Sequence, residues 1–311
     1  MRKTDTLENV IGQVHEMSAN NYDEIIPIRD IRVENLERME IAGQFFGVLP
    51  SAQRLLANRL RVPFSYLNRC PADLQRDNLQ YWLEQERRNR EALFCRFTGN
   101  HLRALFTERF VPLDHMEVLT KMLEYGFDPA TEVHLSLDDE IMVLKVPEYD
   151  RLFRLSENDK IVPGISIANS EVGILALSIE AFYYRLVCSN GMISETSVDA
   201  RYKHISRKVM DEFPLVLEGV ISQSRHGQDR FRISMQTSVD NPESTIATFA
   251  RQFQLSQKET EVVQQAFYQE VGGTMFHIIQ AFTRGAQDIS LSASDSYRME
   301  KAGGAILAMV K

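Results

Sequence analysis

Residues 164–193, GISIANSEVGILALSIEAFYYRLVCSNGMI, constrain the fold more than any other stretch of this chain. Apolar and polar residues alternate over much of it, the period of a strand whose successive side chains take opposite faces. Gly164, Gly173 and Gly191 punctuate what otherwise reads as buried strand, as do the polar side chains of Asn169, Glu171 and Asn190. A chain with this centre has to build a sheet and cover it.

Around that centre the sequence divides into three zones: 1–91 mainly helical, 92–199 mainly strand, and 200–311 helical. In the first, Pro71 suits the opening turn of a helix whose apolar stripe is Leu74, Leu79, Trp82 and Leu83. Before it, residues 25–33 alternate as a strand would. In the second, 93–98 and 102–107 flank Gly99-Asn100, and 132–137 and 141–146 flank Asp138-Asp139-Glu140, so each pair reads as a hairpin. A helix over 113–125 separates them. Asn190-Gly191 is a turn dipeptide, since both residues tolerate positive φ. Helices are expected near 205–224, 242–253, 256–271, 275–284 and 294–309. The short linkers favour an α+β fold in which 1–311 form one interlocked domain.

With 44% hydrophobic and 25% charged residues in 311, a well-buried core is expected. No run of 18 apolar residues occurs, and the amino terminus lacks the apolar core of a signal peptide. Cys70, Cys95 and Cys188 are odd in number and far apart, which fits free thiols in a reducing cytoplasm. The net charge of −8 argues against a uniformly basic surface and leaves room for a local basic groove.

Several segments carry candidate chemistry. SAQRLLANRLRVPFSYLNRC has the outline of a helix-turn-helix, although its second helix offers bases only Ser65, Asn68 and Arg69; a structural helical hairpin is the alternative. ALFCRFTGNHLRALFTERF sets Arg96, Arg103 and Arg109 among Phe97 and Phe106 on a hairpin. Arginines can track the phosphates of a single strand while rings stack its bases, at about 1–3 kcal/mol each. The competing reading places the phenylalanines in the core and the arginines on a solvated edge. ARYKHISRK adds Arg201, Tyr202, Lys203, Arg207 and Lys208, a local positive element suited to counterion release, or else a solvated helix face. Asn169, Glu171, Arg185 and Asn190 form a polar cluster in which a buried Glu171–Arg185 ion pair is expected. Glu171 with Asp138 and Asp139 as nuclease metal ligands is the other reading of these acids.

Cys188 lacks a recognisable partner base, and His101, His115, His134 and His204 are scattered without zinc-ligand spacing. No phosphate-binding glycine loop is present. No catalytic residue, cofactor or metal is therefore expected.

At NSEVG (169–173), RLVCSNGMI (185–193) and the terminal AFTRGAQ…SYRMEKAGGAIL, the chain resembles a family catalogued as domain of unknown function 932. RALFTERFVPLDHMEVLTKML (103–123) extends the resemblance, which runs from about residue 50 to the carboxyl terminus. The resemblance implies a phage or plasmid mobile element, a role in DNA transactions such as recombination, and kinship with phage single-strand annealing proteins. It carries over no catalytic residues. The resulting expectation is a cytoplasmic, non-membrane protein that binds single-stranded DNA, with annealing as an oligomer its extended form. The alternative is a protein-interaction or scaffold component of a mobile-element or phage-defence system.

Overall fold

Alternation along the central strands produces the larger of two sheets. The computed structural model describes residues 2–157, 159–186, 190–194, 208–224, 228–269 and 272–310. The first sheet contains β1 (Arg2–Thr6), β8 (Glu132–Leu137), β9 (Met142–Pro147), β11 (Lys160–Asn169), β12 (Ser178–Arg185) and β13 (Asn190–Ser194), antiparallel in that order. A short β10 (Phe153–Arg154) pairs with the start of β11. The second sheet runs β2 (Asn21–Pro27), β6 (Ala92–Thr98), β7 (His101–Phe106), β5 (Gln44–Val48), β4 (Arg38–Ile41) and β3 (Ile31–Val33). Only its β5–β7 contact is parallel. Helices α1 (Leu7–Ser18) to α5 (His115–Tyr125) include α2 (Pro50–Arg59), α3 (Phe64–Leu67) and α4 (Ala72–Glu86). Then follow α6 (Lys208–Ser224), α7 (Gln228–Gln236), α8 (Pro242–Gln252), α9 (Gln257–Gln269), α10 (Met275–Gly285) and α11 (Ala293–Met309).

One face of the first sheet is apolar in strict register. Leu135, Leu144, Ile167 and Ile179 oppose one another across four strands and bury against Val10 of α1, Leu119 of α5 and Phe213 of α6. Each such side chain contributes about 1.5–3 kcal/mol. The other face is different: His134, Lys145, Ser166 and Glu180 form a cross-strand row of polar residues. Helix α11 covers it, pairing Glu300 with Lys145 (2.5 Å) and Lys301 with Glu180 (2.7 Å). Gly164 lies where β9 crowds β11; an added Cβ would stand 2.2 Å from the Val146 carbonyl oxygen. Gly164→Ala is expected to cost about 1–3 kcal/mol as overpacking, read as a lower urea midpoint. An unchanged midpoint would show that the strands can part there.

The second sheet buries Leu93, Cys95 and Phe97 of β6 against Leu56, Leu67, Leu79 and Leu83 of α2, α3 and α4. Its register contains a break. Arg96 pairs with Ala104 and Phe97 with Leu102, so Arg103 is the extra residue of a β-bulge. The bulge lets Leu102 and Leu105, three apart, both reach the same core. A separate core, including Phe231, Val263, Phe282, Met299 and Ile306, holds the carboxyl-terminal helices together.

The α+β class and both central hairpins agree with the sequence reading. The zone 1–91, expected to be mainly helical, also contains five strands, β1 to β5. They are short, and one hairpin turns on Ala42-Gly43, where both residues have positive φ (50° and 81°). The strand expected over 25–33 is two: it stops at Pro27, and residues 31–33 lie on the opposite edge of the sheet. Asn190-Gly191 opens β13 rather than forming a turn, because both residues pair with β12. Helix α3 has 4 residues, too few to serve as a recognition helix. Among the described residues, no helix is long and apolar enough to cross a membrane.

Candidate nucleic-acid interface and buried polar centre

Two of the three arginines assigned to the hairpin, Arg96 and Arg103, do not face outward. Arg96 is only 3% exposed; it donates to Asp23 (2.9 Å), to the Glu171 carbonyl (3.0 Å) and to Asp114. Arg103 is paired with Glu171 at 2.8 Å. Phe97 is buried and stacks on Tyr22 (4.9 Å between centroids). These three assignments to strand binding are corrected, because both guanidinium groups are buried and paired with carboxylates and the core takes the ring. Phe106 is half-buried and stacked on Phe110 at 3.8 Å, and Arg109 is exposed. Arg201, Tyr202, Lys203 and Arg207, with Cys188 and His204, lie outside the described residues; Lys208 opens α6.

The expected Glu171–Arg185 pair is likewise replaced. Arg185 stands opposite Ile161, roughly 26 Å at strand rise from Asn169 at the other end of β11, beyond which Glu171 lies. It pairs with Asp159 (2.5 Å). Glu171 instead accepts from Arg103 and from the His115 backbone N–H (2.8 Å) at the first turn of α5, where the helix dipole favours a carboxylate. Asn169 donates through Nδ2 to the Leu113 carbonyl and to His115 Nδ1, both at 3.0 Å. That leaves the His115 proton on Nε2. Burial alone would raise the Glu171 carboxyl, but His115, the Arg103 guanidinium and the hydrogen bonds from both hold it down at about 2. Burial lowers the His115 pKa, and the neighbouring Glu171 carboxylate opposes that shift. Gly173 closes the loop at φ +75°, and an added Cβ would meet the Phe106 ring at 2.7 Å.

This centre opens on a cavity of about 240 Å³ between the sheets, lined by Arg103, His115, Glu171, Asp139, Leu49 and Leu137 among others. The sequence contained no spacing signal for it: Arg103 and Glu171 are 68 residues apart, and the bulge that brings them together is a pairing event.

A second concavity, about 1210 Å³, lies between α2, α3, α4 and the end of β7. Arg59, Arg61 and Arg90 line it with Trp82, Tyr66 and Phe106. Trp82 and Tyr66 are 45% and 42% exposed. Glu86 holds Arg59 (3.7 Å) and Arg90 (3.1 Å), while Arg61 is exposed without a partner among the described residues. Asn58, Asn78, Gln85 and Asn89 add amides that can both donate and accept. The exposed Arg87 and Arg88 follow directly after α4. Sequence reasoning missed this groove by placing Trp82 on the core stripe of its helix. The available signal was the arginine run beside that tryptophan.

No group of three metal-ligating side chains occurs among the described residues. Burial pushes the Cys95 thiol up to about 12, so it is not a nucleophile at neutral pH.

The fold and centre together define a two-sheet α+β protein locked by an ionic core around its NSEVG loop. Residues 104–302 match the family described as Domain of unknown function (DUF932), and the chain belongs to that family. No curated protein and no solved structure matches it. Glu171 and His115 fall inside the matched segment; of the groove residues only Leu105 and Phe106 do.

Proposed function

We propose that this protein binds single-stranded nucleic acid in the groove between α2, α3, α4 and β7. The observation that carries the proposal is the pairing there of exposed aromatic faces, Trp82 and Tyr66, with Arg59, Arg61 and Arg90. Guanidinium groups neutralise phosphates, and an indole face stacks only on a base that has left its duplex. With a net charge of −8 for the chain, such binding would draw on a local basic surface and therefore fall steeply with salt. A mobile-element setting and strand annealing accord with the proposal but are not required by it.

Fluorescence anisotropy with a labelled oligonucleotide tests this. Single strands are expected to bind more tightly than duplex. Trp82→Ala should weaken binding about 5- to 150-fold, the equivalent of one stacked base at about 1–3 kcal/mol. Arg61→Glu with Arg90→Glu should reduce the slope of log K against log salt by roughly 1.4. Unchanged affinity in Trp82→Ala, or flat anisotropy at micromolar protein, would remove the proposal.

A further inference from the structure

We infer that the cavity between the two sheets is a binding site for a keto-type nucleobase, one that turns a carbonyl oxygen toward Arg103 and His115 and an N–H toward Asp139. The Arg103 side chain is 9% exposed and lines this cavity, and only its Nη2 is taken by Glu171. Nη1 is buried and has no protein partner. A buried guanidinium donor without an acceptor is costly, so the site favours an oxygen there. His115 supplies a second donor. Its Nδ1 accepts from Asn169, which leaves the N–H on Nε2, and His115 lines the cavity.

Charge then selects the ligand. Arg103 and Glu171 cancel. Both Asp138 oxygens are used by backbone N–H groups, of Glu140 and Ile141 on one side and Ala293 on the other. Asp139 is exposed, lines the cavity and has no partner among the described residues. An anion would meet two uncompensated carboxylates. A neutral ring with an acceptor at one edge and a donor beside it suits Arg103 and His115 with the first and Asp139 with the second, and the apolar Leu49 and Leu137 line the same space. At about 240 Å³ the cavity is several times the roughly 30 Å³ share of one water, so a single structural water does not fill it. Guanine and uracil or thymine present this edge; adenine and cytosine put an exocyclic amine where the two donors require an oxygen.

The base can arrive as a free nucleoside or as part of a strand. Titration calorimetry of the full chain with uridine, guanosine, cytidine and adenosine covers the first source; anisotropy with homopolymer dT and dC covers the second. At least one keto nucleoside, or dT, is expected to bind ten-fold or more tightly than its amino counterpart. Asp139→Ala, which removes no contact within the protein, should abolish that preference. Trp82→Ala should leave nucleoside binding intact, so this inference does not rest on the groove. Absence of nucleoside binding to millimolar concentration together with equal dT and dC affinity would overturn it. So would a keto preference that survives Asp139→Ala.

Discussion

Arg103→Met is expected to lower the unfolding free energy by about 3–5 kcal/mol, because it strands a buried carboxylate. Glu171 is 4% exposed and would keep only the His115 N–H as a donor to its side chain. The loss belongs to the unpaired charge more than to the pair itself. The double variant Arg103→Met with Glu171→Met should therefore recover a large part of it, giving a coupling energy in a double-mutant cycle. Urea unfolding measures all three variants, and additive losses would contradict the argument.

The same carboxylate makes stability pH-dependent in a direction that can be worked out. Its folded pKa, about 2, lies below its ordinary 4.5. The contribution is then fully present above about pH 4.5 and is lost as pH falls from there toward 2, amounting to about 3 kcal/mol. Glu171→Gln should be less stable than the parent at pH 7, and the two should converge as the pH falls through this window. Parallel curves would place the acid sensitivity elsewhere.

The second large effect is expected at the polar row beneath α11. Lys145→Met removes the ion pair of Glu300, which is 3% exposed, and should cost about 3–5 kcal/mol. Replacing both, Lys145→Met with Glu300→Met, should restore parental stability or exceed it by about 1–4 kcal/mol, since a buried ion pair must first overcome its desolvation. A double variant as weak as either single would mean that the site cannot accept apolar packing. On α11, Tyr297, Glu300 and Lys301 stand at helical spacing over the sheet, while Met299, Ala302 and Ile306 turn into the carboxyl-terminal core. The row thus sets how that helix lies across the strands.

Much of the architecture was legible because it is local. Period-two alternation marks β8, β9, β11 and β12; Gly99-Asn100 marks a hairpin; Pro242 sits at a helix start. The strands β4 and β5 escaped because four or five residues hold too few periods to distinguish from loop. The partner of Glu171 escaped for another reason: the nearest arginine along the strand sequence, Arg185, lies at the wrong end of β11.

By itself, then, the amino-acid sequence determined the α+β class, the central hairpins and the carboxyl-terminal helices, since dihedral preference and hydrophobic period act over a few residues. Tertiary structure alone decided which polar groups meet. A bulge at Arg103 turned one arginine into the partner of a glutamate 68 residues away, burial withdrew Arg96 and Phe97 from solvent, and helix packing left Trp82 facing out over a groove of arginines. Such encounters depend on register and burial, and neither quantity exists until the sheets have formed.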